Sequence, residues 1–296
     1  MIRVLSLLLA LALCAWAGTA GAFGPADCPW VAADMSFRGA AVEQGQCLLT
    51  PQGSSAGSHS LPSTFDALLG TEFGIPAEAL ERFFFSRRIT DEAVGGPLRL
   101  RVSLSGGEAA RYFVLHGVLR HGTAGSIAGI EGAGPCLAGK PAPVSPPAEG
   151  KEGHAAVRPG ATAPRPVISG AVPLPLPCWH VAVWPNGRSV TLVDFFTPLR
   201  ATRFELEYAG ARAKGRFLHV LVLPQQGEAG VTEAQYARLA HIYMAASQRA
   251  GTWLVPAYAG VLDSGIDPGA HSPAGFDVQR WAHAVREAYR GALAVR

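Results

Sequence analysis

The 296-residue chain reads as an α/β protein, on three features of its sequence. Phe217 to Leu223 is almost wholly apolar, as expected of a central strand covered on both faces. Arg111-Tyr112-Phe113-Val114-Leu115-His116 is a second apolar strand, and it ends on a histidine. Two late segments, about Thr232 to Ala250 and Asp277 to Leu293, repeat their apolar residues at helical spacing.

Met1-Ile2-Arg3 makes a short basic start, Val4 to Ala17 is apolar, and Ala20-Gly21-Ala22 is a cleavage signal. The pattern predicts a signal peptide over residues 1–22, because the apolar run is too short to cross a bilayer. Cys14 follows Leu13 where a lipoprotein box requires a small residue. No later apolar run is long enough to span a membrane, so the expectation is an exported soluble protein, periplasmic or secreted.

Cys28, Cys47, Cys136 and Cys178 remain after the signal peptide, an even number that suits disulfides in an oxidising compartment. Sequence alone permits three pairings. Cys28–Cys47 and Cys136–Cys178 are favoured, because each closes a segment with little structure of its own.

Residues 23–82 are rich in Gly, Ser, Pro and Ala and read as an extended arm strapped to the main domain. A short helix is expected at Pro76 to Phe85, where Ala77, Leu80 and Phe84 share a face. The main domain covers residues 83–293. Its expected strands are Leu98–Leu104, Arg111–His116, Trp179–Trp184, Arg188–Asp194, Arg203–Tyr208 and Phe217–Leu223. Pro185-Asn186-Gly187 is hairpin-turn chemistry, since Asn and Gly tolerate positive φ. Thr232 and Gln235 match a capping box at the start of the first long helix, and Gly251 ends it. Ten prolines from Pro141 to Pro177 mark residues 137–177 as an insertion, which cannot bury enough apolar surface to offset its ordering entropy.

The net charge of +3 comes without a Lys/Arg block, so nothing points to nucleic acid. Gly53-Ser54-Ser55-Ala56-Gly57 matches the serine-hydrolase elbow G-x-S-x-G. That elbow requires a buried strand before it and a helix after it, and here it sits in a Pro/Ser/Gly stretch, so it reads as a loop. Trp179, Trp184, Trp253 and Trp281 are candidates for sugar stacking or for the core.

The strand ending in His116, the strand Phe217–Leu223, the capped helix and Ser272-Pro273-Ala274-Gly275-Phe276-Asp277 follow in an order with a known counterpart. Together they resemble the zinc N-acetylmuramoyl-L-alanine amidases, a family that includes peptidoglycan recognition proteins and phage amidases. The resemblance spans residues 83–293, interrupted by the Pro-rich insertion. It implies a mixed central β-sheet flanked by helices, a groove at the His116 end, and peptidoglycan or muropeptides as the partner. It also implies Zn²⁺ held by three protein ligands, with an open position for water.

Under the resemblance His116 is the first ligand. The second position falls on Ala259 and the third on Ser272, neither of which supplies a good donor. A family glutamate becomes Leu221, an aromatic hydroxyl becomes Trp179, and Gly117-Val118-Leu119-Arg120 replaces a small polar segment. The expectation is therefore a protein that engages peptidoglycan with catalysis weakened or lost. The alternative is an active zinc amidase with a rearranged set of His116, His271 and Asp263 or Asp267. In both readings Trp179, His180, His219 and Ser272 line the groove. A third reading places function in the Pro-rich loop, as an envelope partner-binding protein.

Overall fold

In the computed structural model, residues 28–50, 60–101, 109–117, 179–225, 230–266 and 272–295 are described. The signal peptide, the G-x-S-x-G string, the Pro-rich insertion, Cys136, Cys178, Asp267 and His271 lie outside them. The N-terminal segment is more structured than an extended arm. A hairpin of β1 (Trp30–Val31) and β2 (Ser36–Phe37) leads into helices α1 (Ala41–Leu48), α2 (Ser63–Leu68) and α3 (Ala77–Ser86). Helix α1 buries Gln44, Gly45 and Leu48, a face with one large apolar side chain and hence no apolar stripe to read. A Cβ on Gly45 would stand 2.7 Å from Leu69 Cδ1, so glycine permits the close packing of α1.

The remaining elements alternate. They are β3 (Tyr112–His116), β4 (Val181–Val183), β5 (Ser189–Thr191), α4 (Arg203–Glu207), β6 (Phe217–Val222), α5 (Glu233–Ala250), β7 (Val255–Tyr258), α6 (Ala259–Leu262) and α7 (Val278–Leu293). The sheet order is β5-β4-β6-β3-β7. Strand β3 runs parallel to β6 and β7, and β4 runs parallel to β6. Strand β5 is antiparallel to β4 across the Asn186-Gly187 turn, where Gly187 has φ +78. The protein is thus α/β, with a mixed five-stranded sheet flanked by helices. Pro256 is tolerated because β7 is an edge strand, with no neighbour requiring its missing N–H.

One sheet face packs on α5 and α7: Phe113 meets Tyr243 at 5.2 Å and Trp281 at 5.9 Å. On the other face Tyr112 stacks on Phe217 at 4.8 Å, beneath Phe37 and Phe204. Buried Gln44 ties α1 to this face. Its amide donates to Phe37 O and Gly39 O, and its Oε1 accepts from the Tyr112 hydroxyl. Among the described residues no helix is long and apolar enough to cross a membrane.

Three expectations need correction. Arg203–Tyr208 is not a strand: Thr202 accepts from Glu205 N–H while Glu205 reaches back to Thr202 N–H, a capping box that starts helix α4. The alternation of Phe204, Leu206 and Tyr208 is incidental, and Leu206 is exposed. Leu98 to Arg101 forms no strand, and residues 102–108 lie outside the described set. Cys28 and Cys47 are not bridged to each other. Cys28 is buried with Sγ turned toward Gln44 O at 4.0 Å, while Cys47 lies about one turn further along α1.

Candidate functional site

Parallel pairing of β3 and β6 sets Val114 beside His219 and His116 beside Leu221. Residues two apart on a strand share a face, so both histidines project on the side away from α5 and α7. His116 Nε2 lies 3.1 Å from His219 Nδ1. At the far side of that ring, His219 Nε2 stands 3.2 Å from Glu205 Oε2. Helix α4 and strands β6 and β3 thus bring Glu205, His219 and His116 into one buried row, although His219 Nε2 makes no hydrogen bond among the described residues.

Glu205 is placed by the cap of α4. Its Oε2 accepts from Ala201 N–H, Thr202 N–H and the Thr202 hydroxyl, at 3.1, 3.1 and 2.9 Å. Oε1 is buried with no hydrogen-bond partner among the described residues. Burial pushes the Glu205 carboxyl up to about 8, and the three donors on Oε2 pull the other way.

His180 stands just before β4, with its ring nearly parallel to that of His219 at 5.7 Å. Its Nδ1 accepts from His219 N–H at 3.0 Å, so the proton is on Nε2, which donates to Thr197 O at 3.1 Å. Burial holds both His180 and His219 down to about 3, and it puts His116 well below its usual value. All three rings are neutral at pH 7.

The late loop does reach this strand end. A Cβ on Gly117 would stand 2.4 Å from Ser272 O and 2.8 Å from Pro273 Cα, so glycine is what lets the loop seat beside His116. Gly117→Ala is expected to push the loop off β3 and lower stability by about 1–3 kcal/mol. Urea unfolding reads this, and an unchanged midpoint would show that the two backbones separate without penalty.

The other expected site residues fall elsewhere. His180 and His219 are fully buried, and Trp179 is 4 % exposed. They are interior groups, not the lining of an open groove. Trp179 packs with Ala182, Ala201 and Leu221 in a small apolar cluster, edge-on to His116 at 6.2 Å. Trp253 and Trp281 belong to the main core. Asp263 accepts from the N–H groups of Arg203 and Phe204, capping α4 from outside and leaving its carboxylate committed to the fold.

Zinc requires three donors that converge. The resembled positions hold an imidazole at His116, a methyl group at buried Ala259 and a neutral hydroxyl at Ser272. Among the described residues, no group of three His, Cys, Asp or Glu side chains converges on a common point. At the resembled positions only His116 supplies a donor suited to that metal, and His271 and Asp267 of the rearranged set lie outside the described residues.

Glu205 is the residue that sequence reasoning missed. Its signal was present as Thr202-x-x-Glu205, the same capping pattern that identifies the start of α5. Comparison with family models, with curated proteins and with solved structures returns no match for the chain.

Proposed function

We propose that the protein is an exported peptidoglycan-engaging protein on an amidase-like scaffold, and that it holds the polymer without cutting it. The reading rests on the resemblance along residues 83–293, and one observation gives it its direction. His116, the single ligand position that the resemblance retains, is hydrogen-bonded through Nε2 to buried His219, behind which Glu205 stands. A hydrolytic zinc centre needs protein ligands plus an open water position, and the neighbouring positions supply a methyl group and a neutral hydroxyl.

A second reading has its own support. A ligating histidine is commonly oriented by a hydrogen bond from its other ring nitrogen, and His219 is such an orienting group behind His116. This keeps an active amidase built from His116, His271 and an acid as the alternative.

Co-sedimentation with purified sacculi, with and without added Zn²⁺, and assay of released muropeptides separate the two. Sedimentation with the wall and no release is the expected result. Release that a chelator abolishes would replace the proposal with the amidase. Failure to sediment would remove the cell-wall reading. Loss of sedimentation on deleting residues 139–176 alone would move the function to the Pro-rich segment.

A further inference from the structure

Helix α3, the β4–β5 turn and helix α5 enclose a cavity of about 690 Å³, open to solvent, whose lining includes Arg87, Asn186, Gly187, Arg238 and His241. We infer that this cavity is a binding site for a phosphoryl oxyanion, gripped by Arg87 and Arg238. The inference is independent of the cell-wall reading, because no residue of the His116 site lines this cavity.

Charge carries the argument first. Arg99, Arg203, Arg280 and Arg290 each have a carboxylate beside them. Among the described residues, neither Arg87 nor Arg238 has one within ion-pair distance, although Arg238 is partly buried. Desolvation pulls the Arg238 pKa down, with no opposing carboxylate to restore it. A half-buried guanidinium without a counter-ion is unfavourable, and an anion in the cavity would relieve it.

Geometry carries it next. Arg238 is held in place by its Nε, which donates to Gly187 O at 2.9 Å, while its buried Nη1 has no acceptor among the described residues. Arg87 lies over the Phe83 ring at 5.0 Å. Asn186 uses its carbonyl oxygen to accept from Arg188 N–H, which leaves its NH₂ group as the remaining pole. His241 rests against Phe83 and Phe84, each at 5.8 Å. It is held down to about 3 by burial, then by Arg238 and Arg87, and so adds no charge at pH 7. Two guanidinium forks and an amide outnumber the two oxygens of a single carboxylate, whereas a phosphoryl group offers three or more and up to two charges.

The test is calorimetric titration of the full chain with inorganic phosphate at fixed ionic strength, with acetate as comparison and with Arg87→Gln, Arg238→Gln and Arg280→Gln variants. Phosphate should bind saturably and more tightly than acetate. Arg238→Gln and Arg87→Gln should each weaken it at least about tenfold, the loss of one charge-assisted fork. Arg280→Gln, an exposed arginine outside the cavity, should leave binding unchanged. Arg87 is exposed, so its variant tests the site even where Arg238→Gln fails to fold. Glycerol phosphate, which keeps three terminal oxygens, should bind like phosphate, whereas glycerophosphoglycerol, with two non-bridging oxygens and one charge, should bind no better than acetate. Phosphate that binds no better than acetate, or binding that survives Arg87→Gln intact, would overturn it.

Discussion

Trp281→Ala is expected to lower the stability of the protein by about 3–5 kcal/mol, the range for removing a fully buried large aromatic side chain. Trp281 has no exposed surface. Its ring meets Phe65 of α2 at 4.9 Å, Phe113 of β3 at 5.9 Å, Tyr243 of α5 at 5.1 Å and Phe276 of the late loop at 5.6 Å. One side chain thus ties four segments that are remote in sequence, and no single neighbour can move in to fill the space it leaves. Guanidinium unfolding followed by circular dichroism should show a lower midpoint at unchanged slope. Trp281→Phe should lose much less. It keeps an aromatic ring and removes an indole N–H that is buried without an acceptor among the described residues. Because Phe276 follows Ser272-Pro273, the alanine variant should also expose the late loop to proteolysis before global unfolding. A loss below about 1 kcal/mol would mean that α7 does not organise the core as its contacts imply.

The parts of this fold that were legible in the sequence are those whose stability is local. Helix α5 announces itself through Thr232 and Gln235, which satisfy each other's end of the backbone, and through Gly251 in the left-handed region at its close. Helix α7 does so through apolar residues at helical spacing, and Asp277 caps it by accepting from the N–H groups of Gln279 and Arg280. Strands β3 and β6 are visible because burial on both faces leaves few polar residues. Helix α1 was not visible, because Gln44 is buried for its hydrogen bonds and Gly45 for its small size. Helix α4 was misread because five residues are too short for a 3.6-residue period to outweigh chance alternation.

The candidate site divides in the same way. His116 could be found from its place at the end of a strand. The roles of His219 and Glu205 could not, because they depend on the β3–β6 register and on where α4 docks. Those are tertiary facts, decided by packing of the aromatic layer around Tyr112, Phe204 and Phe217. No window of sequence contains both His219 and its carboxylate partner at a recognisable spacing.

Acidification from pH 7 to pH 5 should destabilise the protein by at least about 3 kcal/mol, through buried titratable groups. His180, His219 and His241 are held down to about 3 in the fold, against about 6.5 in an unfolded chain. Below pH 6.5 the unfolded chain therefore binds protons that the folded one refuses. Each histidine's contribution is complete above that value and is lost as pH falls, on the order of 2 kcal/mol per residue by pH 5. Buried His116 acts in the same direction. Glu205, raised to about 8, acts oppositely: its contribution is complete below the unfolded value of about 4.5 and is lost as pH rises through 8. Between pH 7 and 5 it returns about 2–3 kcal/mol, which leaves the histidines dominant on the acid side. Urea midpoints measured from pH 5 to 9 should therefore peak near neutrality and fall on both sides. Glu205→Gln keeps a carbonyl oxygen for the Ala201 and Thr202 donors, so it should steepen the acid limb and flatten the alkaline one. His219→Gln should make the acid limb shallower by roughly one histidine's share. An acid limb that both variants leave untouched would show that Glu205 and His219 exchange their protons as freely in the folded protein as in the unfolded chain.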